Sequence, residues 1–153
     1  MIDTLQISSV SKNNFISLMK SYERNYNFLY KLINFDIFCL KNVNKNFESR
    51  AYSGNKKILL SILSVTNHTA LIKFSYNFFS DNTYTSYVDL KIYFDSKQVE
   101  ILNNKGLKIN MDNKNIQKFH NIRLSKWYKS YFLSLWLNNC IENGYSFEGH
   151  SEV

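Results

Sequence analysis

The sequence predicts an α+β fold, an antiparallel sheet of four to five strands covered on one face by N-terminal and C-terminal helices. Two observations predict this class. Near both ends of the chain, apolar residues recur every three or four positions, which is the period of an amphipathic helix. Between those ends, apolar and polar residues alternate in runs separated by short turns, as in half-buried strands. Short connections favour antiparallel neighbours.

The first helix is predicted to follow a loose lead-in, residues 1–11, with Ser11 as its N-cap. Its apolar face consists of Phe15, Leu18, Met19, Tyr22, Tyr26, Leu29 and Ile33. The opposite side carries charged and polar residues, including Glu23. We expect a single domain over residues 12–145 and a C-terminal tail over residues 146–153.

Five runs in the middle of the chain have the period of a strand: residues 47–53, 56–66, 69–79, 84–94 and 97–102. Turn-forming residues separate them: Gly54–Asn55, Asn67–His68, residues 80–83 and Asp95–Ser96. An Asn-rich connection, residues 34–46, joins the first helix to this meander. The apolar face of such a sheet has to be buried, and the two helices supply the cover.

The last helix is predicted from about Ile122 to Asn143, with Gly144 as the residue that ends it. Its second half is apolar nearly all round, which is typical of a buried helix. Its aromatic residues, Trp127, Tyr128, Tyr131, Phe132 and Trp136, suit either a core or a surface on which nucleic-acid bases stack, and the core is the more frequent use of such a stripe.

The net charge of +7 is unevenly distributed. Sixteen Lys, three Arg and no Pro are the composition that an A/T-rich genome favours, so basicity by itself is weak evidence for nucleic-acid binding. Residues 105–129, however, hold seven positive charges and one negative, which is +6 of the +7. We call residues 105–129 the basic segment.

Other compositional features exclude several classes of protein. The chain has no apolar run of transmembrane length and no signal-like N-terminus, so we expect a cytoplasmic protein without membrane contact. Its two cysteines, Cys39 and Cys140, lie far apart, and free thiols are expected. The three histidines lack metal-ligand spacing, and no phosphate-binding glycine loop is present, so neither metal nor cofactor is expected.

Two sets of residues are candidates for a functional site. Arg123, Lys126 and Lys129 fall at the start of the last helix, where free backbone N–H groups also favour a phosphate or carboxylate ligand. Solvated side chains at an ordinary helix start are the alternative. Glu23 and Asp95 lie beside apolar residues and are the candidates for a general acid or base. Ordinary surface or turn residues are the alternative for these two carboxylates.

Three motifs resemble the YqiB-like family of uncharacterised bacterial proteins. They are Tyr22-Glu23-Arg24-Asn25-Tyr26 in the first helix, Leu90–Ser96 at a strand end, and Phe132–Gly144 in the last helix. The likeness spans about residues 12–145. The opening of the last helix departs from the family pattern: Arg123 and Lys126 match it, whereas an acidic pair and two amides do not. The resemblance implies a domain of unknown function and supplies no reaction.

These observations lead to two hypotheses. The first is a non-enzymatic binding or accessory protein with a basic anion-binding surface and a protein or nucleic-acid partner, in which Asn25, Arg123, Lys126 and Lys129 contact the ligand. The second is a small enzyme that uses Glu23 or Asp95 as acid or base and binds an anionic substrate through Arg123 and Lys126. In both, we expect Arg123 and Lys126 to project near Glu23 or Asn25, because both helices should cover the same sheet face.

Overall fold

The structure is a computed structural model that describes residues 4–52, 56–76, 86–105 and 122–148, with the backbone alone described for residues 4–14, 105 and 122–125. Helix α1 spans Thr4–Leu32 and helix α2 spans Ile122–Glu142. The strands are β1 Asn46–Arg50, β2 Lys57–Val65, β3 Thr69–Tyr76, β4 Ser86–Tyr93 and β5 Gln98–Lys105. Two short 3-10 helices, Phe35–Ile37 and Leu40–Asn42, join α1 to β1. The predicted α+β class is confirmed.

Helix α1 begins earlier than its sequence pattern predicts. It starts at Thr4, so the predicted N-cap Ser11 lies inside the helix and the prediction of a loose lead-in over residues 1–11 is wrong from Thr4 onward. Neither Pro nor Gly occurs before Ile33, so the sequence has no residue there that would break a helix. The helix therefore extends through polar residues that carry no apolar period.

The five strands form one antiparallel meander in the order β1-β2-β3-β4-β5. Two predicted turns connect them: the Thr66 amide donates to the Thr69 carbonyl at 2.8 Å around Asn67–His68, and Asp95–Ser96 precede Lys97, which has φ 55°. The other two predicted turns, Gly54–Asn55 and residues 80–83, lie outside the described residues. Strands β1 to β4 alternate buried and more accessible residues over most of their length, as their period of two requires.

The core lies between one face of the sheet and the two helices. From the sheet, the fully or nearly fully buried side chains are Phe47, Ile58, Leu60, Ile62, Ala70, Ile72, Phe74, Val88, Leu90, Ile92 and Val99. From the helices, Leu29, Leu32, Leu133, Leu137 and Cys140 face them. No helix in the described part of the chain is long and apolar enough to cross a membrane.

Both edge strands contact other parts of the chain. The Gln98 side chain of β5 contacts Met19 of α1, its Nε2 lying 3.6 Å from Sδ. At the opposite edge, the Tyr52 amide donates to the Asn143 carbonyl at 2.8 Å, and the Ser146 amide donates to Ser49 Oγ at 2.9 Å. Contacts of this kind protect sheet edges that would otherwise pair with other chains.

The core continues past the predicted domain end at residue 145. Phe147, which falls in the predicted tail 146–153, is fully buried, and its ring centroid lies 5.8 Å from that of Phe74. Its backbone pairs with the end of α1: the Phe147 amide donates to the Leu32 carbonyl at 2.8 Å, and the Asn34 amide donates to the Phe147 carbonyl at 2.7 Å. Residues 146 and 147 therefore belong to the domain.

Candidate functional site

The predicted ligand residue Asn25 lies in a buried polar cluster between α1 and α2. Its Nδ2 donates to the carbonyl of Ser130 at 3.0 Å and to Oγ of Ser130 at 2.9 Å. Its Oδ1 accepts from Oγ of Ser134 at 2.5 Å, and the hydroxyls of Ser21 and Ser130 share a hydrogen bond at 2.6 Å. All four side chains are buried. We call these four residues the interhelical polar cluster.

The interhelical polar cluster explains Asn25 as a residue that positions two helices. Both ends of its amide have partners, and a buried polar group with all its partners present stabilises one particular arrangement of its neighbours. Neither cavity described below includes Asn25.

Glu23 and Lys126 are exposed and do not form an ion pair with each other. Two residues along a helix correspond to about 200° of rotation, so Glu23 leaves α1 on nearly the opposite side from Asn25, which faces α2. Lys126 and Glu23 therefore do not form the counter-charge pair that the sequence suggested. Arg123 lies in the first turn of α2, and its side chain is outside the described residues.

The lysines and aromatics at the start of α2 occupy different sides of the helix. Lys126 and Lys129 are three residues apart and share one side, as neighbours at this spacing do. Trp127 and Tyr131 are four residues apart and stack with ring centroids 5.5 Å apart and an interplanar angle of 1°. The stacked pair therefore does not lie directly beside the two lysines. Trp136 packs on Phe74 and Tyr76, as a core residue does.

Asp95, the other predicted acid or base, pairs with a histidine. Its Oδ2 lies 2.6 Å from Nδ1 of His68, and the pair links the β4–β5 turn to the β2–β3 turn. Both side chains are largely exposed, at 75% and 73%. Neither cavity described below is lined by Glu23 or Asp95. Among the described residues, no three His, Cys, Asp or Glu side chains are grouped as metal ligands would be.

Charges on the sheet face away from the helices are balanced locally. Glu48 lies 3.4 Å from Arg50 and 3.7 Å from Lys57, and Lys73 lies 3.9 Å from Asp89. Two lysines lie over tyrosine rings, Lys73 at 4.6 Å from the centroid of Tyr87 and Lys91 at 5.1 Å from that of Tyr93. This face has few cations available for a polyanion.

Two cavities lie at the ends of the helices. The first, of about 420 Å³, follows the end of α1 and includes Lys31, Asp36 and Glu148, so its charges are mixed. The second, of about 260 Å³, lies between the C-terminal end of α2 and strands β2 and β3. It is lined by Ala51, Lys56, Lys57, Ile58, Tyr76, Trp136, Asn139, Cys140, Asn143 and Tyr145. We call it the α2-end cavity.

The walls of the α2-end cavity carry no ionised acid. Burial raises the pKa of the Cys140 thiol to about 12, so the thiol stays protonated at neutral pH. Burial likewise raises the pKa of Tyr76 to about 12, and the pKa of Tyr145 is raised for the same reason. The lining contains no carboxylate, and its basic residues are Lys56 and Lys57, the second of which lies 3.7 Å from Glu48 on the sheet face away from the helices.

Sequence reasoning did not identify this cavity as a site. The sequence pattern places Trp136 and Cys140 in the last helix and Lys56 and Tyr76 in two predicted strands, and it gives none of these residues or Tyr145 a ligand-binding role. The available signals were local: two adjacent lysines follow the predicted Gly54–Asn55 turn, and two asparagines precede Gly144. Neither signal indicates that these segments meet, because they are more than eighty residues apart.

Comparison with known proteins shows the family. The family model described as "Protein of unknown function (DUF1249)" matches residues 38–146, which is well over half of the chain. The chain therefore belongs to the DUF1249 family of proteins of unknown function. The matched range contains the whole sheet and α2, and α1 precedes it. No curated protein and no solved structure matches the chain.

Proposed function

We propose that this DUF1249 chain is a non-enzymatic binding protein that contacts nucleic acid through the basic segment. One observation carries the proposal. The basic segment has a net charge of +6, whereas the rest of the chain has twelve positive and eleven negative charges and a net charge of +1. A genome-wide preference for Lys codons would spread lysines along the whole chain. A concentrated positive charge is instead what attracts a polyanion.

The described residues support the same assignment, because cations on the outer sheet face have acidic neighbours whereas the start of α2 is mainly basic. On the sheet face away from the helices, carboxylates lie beside Arg50, Lys57 and Lys73. At the start of α2, Lys126 is exposed, and Asp112 is the one acidic residue of the basic segment. Phosphate contacts by such residues give affinity without base specificity.

The test is the salt dependence of binding to fluorescently labelled single-stranded RNA and duplex DNA. The slope of log affinity against log salt measures the phosphates contacted, at about 0.7 per phosphate for single strands and about 0.9 for duplex DNA. We expect Arg123→Ala with Lys126→Ala to weaken binding and to reduce the slope by about one to two phosphate contacts.

A matched control separates a site from net charge. Lys20→Ala with Lys31→Ala also removes two positive charges, from exposed positions on α1. We expect this control to retain most of the affinity. Equal weakening by both double variants would show that net charge alone attracts the nucleic acid. No binding at low salt would favour a protein partner, and a pull-down from native lysate would then identify its class.

Within the family, we propose that the chain is a YqiB-like member. The closing motif Phe132–Gly144 supports this, because its residues form the buried face of α2 and the end of that helix. Leu133, Leu137 and Cys140 are buried, and Gly144 adopts φ 87° at the helix end. An independently determined structure of a YqiB-like protein should show the same residues in these roles. A different helix end or a different buried face would contradict the assignment.

A further inference from the structure

We propose that the α2-end cavity binds a small molecule that carries a planar ring and an anionic group, a carboxylate or a phosphate. This site is separate from the basic segment and does not depend on the function proposed for it. The proposal follows from the shape of the cavity, the aromatic side chains in its walls and the kind of polar groups that remain available at its rim.

The walls suit a planar ring. Tyr76, Trp136 and Tyr145 come from β3, from α2 and from the residues that follow α2. The rings of Tyr76 and Trp136 already pack on each other, with centroids 5.4 Å apart. Ligand cavities are typically lined by apolar and aromatic side chains with a few polar groups that fix orientation. A volume of about 260 Å³ restricts the ligand to a small molecule.

The backbone acceptors at the end of α2 are already occupied. The Asn143 amide donates to the Asn139 carbonyl at 3.0 Å, the Gly144 amide to the Ile141 carbonyl at 3.1 Å, and the Tyr145 amide to the Cys140 carbonyl at 3.1 Å. The Asn143 carbonyl accepts from the Tyr52 amide at 2.8 Å. Hydrogen bonds to these carbonyls leave a ligand few acceptors at this end of the cavity.

Donors remain at the rim. Lys56 is exposed, and its carbonyl accepts a hydrogen bond from the Tyr145 hydroxyl at 3.1 Å, which fixes its backbone beside the cavity. Lys57 is partly balanced by Glu48 at 3.7 Å, so Lys56 is the better placed cation. The Asn139 side chain adds an amide. Although the negative end of the α2 dipole opposes an anion, Lys56 supplies a cation at the rim and the lining contains no carboxylate.

Trp136 provides a direct readout. The chain has two tryptophans, so Trp127→Phe leaves Trp136 as the fluorescent one. In this background the probes are 2-naphthoate and adenosine monophosphate, each compared with its neutral counterpart, 2-naphthalenemethanol or adenosine. We expect saturable quenching by at least one anionic probe, with an affinity at least about tenfold higher than that of its neutral counterpart. The probe that binds distinguishes carboxylate from phosphate.

Two variants test the geometry. Lys56→Gln should abolish the tenfold preference for the anion, whereas Lys20→Gln on α1 should preserve it. Asn139→Phe should fill the cavity mouth and remove binding. Asn138→Phe, at the neighbouring exposed position that does not line the cavity, should leave binding intact. Equal melting temperatures of the two phenylalanine variants would show that lost binding is not lost folding.

Three results would overturn the proposal. They are no saturable quenching by either anionic probe, equal affinity for anionic and neutral probes, or unchanged binding in a folded Asn139→Phe protein.

Discussion

The two halves of α2 are held in place by different chemistry. The first half meets α1 through the interhelical polar cluster, in which Ser130 and, just past the helix midpoint, Ser134 bond to Asn25. The second half meets the sheet through Leu137 and Cys140, which are buried among apolar side chains. Apolar burial contributes most of the folding free energy, and it tolerates small shifts of a helix along the surface on which it packs. Hydrogen bonds with defined partners contribute less, but they specify the alignment of the two helices.

The largest expected effect is in the apolar half. Leu137 is fully buried, so Leu137→Ala removes buried methyl groups and leaves a cavity, which costs about 2–5 kcal/mol in free energy of unfolding. Leu135→Ala, two residues earlier on the same helix, is the control, because Leu135 is 54% exposed. Its cost should stay within about 0.5 kcal/mol. Urea unfolding measures both, and similar values would contradict the packing described here.

The polar half should respond less. Asn25→Leu removes two donated hydrogen bonds and one accepted, and we expect a loss of about 1–3 kcal/mol. Asn27→Leu, at an exposed position on the same helix, should be nearly neutral. If the two variants are equally stable in urea, the interhelical polar cluster does not stabilise the fold.

The sequence predicts the elements of this fold better than it predicts their contacts. The period of two identifies all five strands, because each strand has one face in the core. Asn25 differs in this respect, since a buried Asn and an exposed Asn on a polar helix face look alike in sequence. Its partners Ser130 and Ser134 are more than one hundred residues away. Phe147 was missed because it follows Gly144, which indicates a helix end but not the end of the core.

The two candidate sites also differ in whether the sequence reveals them. The basic segment is visible in the sequence because charge can be counted along a chain. The α2-end cavity is not visible, because Lys56, Tyr76 and Trp136 come together only when β2, β3 and α2 pack. The predicted grouping of Glu23 with Lys126 assumed that both faced the helix interface. The side of each helix that contacts the other is set by tertiary packing, which the sequence pattern alone does not define.

Alkaline pH should destabilise the fold, in part through buried groups in the apolar half. Burial raises the pKa of Cys140 from 9.0 to about 12 and that of Tyr76 from 10.0 to about 12. Unfolding exposes both groups, and they then ionise at the lower values. Their stabilising contribution is complete below about pH 9 and is lost as the pH rises towards 12. We expect a loss on the order of 2–4 kcal/mol by about pH 11.

Variants in both halves check this pH dependence. Cys140→Ser with Tyr76→Phe removes both titrations, so its stability should decline less between about pH 8 and pH 11 than that of the parent protein. The double variant should still lose some stability over this pH range, because burial also raises the pKa values of Tyr22 and Tyr93 to about 12. Asn25→Leu, in the polar half, should be less stable at every pH with an unchanged slope. Identical slopes in all three proteins would refute the assignment to Cys140 and Tyr76.

The smallest expected effect is at the residue that ends α2. Gly144 has φ 87°, and the Gly144 and Tyr145 amides close the helix by donating to the Ile141 and Cys140 carbonyls, as predicted for a glycine after a helix. Gly144→Ala should cost about 1–2 kcal/mol, because a side chain disfavours this backbone conformation. A Cβ there would also lie 2.5 Å from the Tyr52 ring. That ring is 86% exposed and is free to move away, so the clash should add little.

A double-mutant cycle separates backbone strain from the clash. If strain dominates, Gly144→Ala should cost the same with Tyr52 present as in Tyr52→Ala, and the coupling free energy should be below about 0.5 kcal/mol. A large coupling would mean that the Tyr52 ring is held firmly over Gly144. The β1 edge would then depend on this contact as well as on the hydrogen bond between the Tyr52 amide and the Asn143 carbonyl. The apolar half of α2 would in that case also be fixed by a specific contact, and its difference from the polar half would be one of degree.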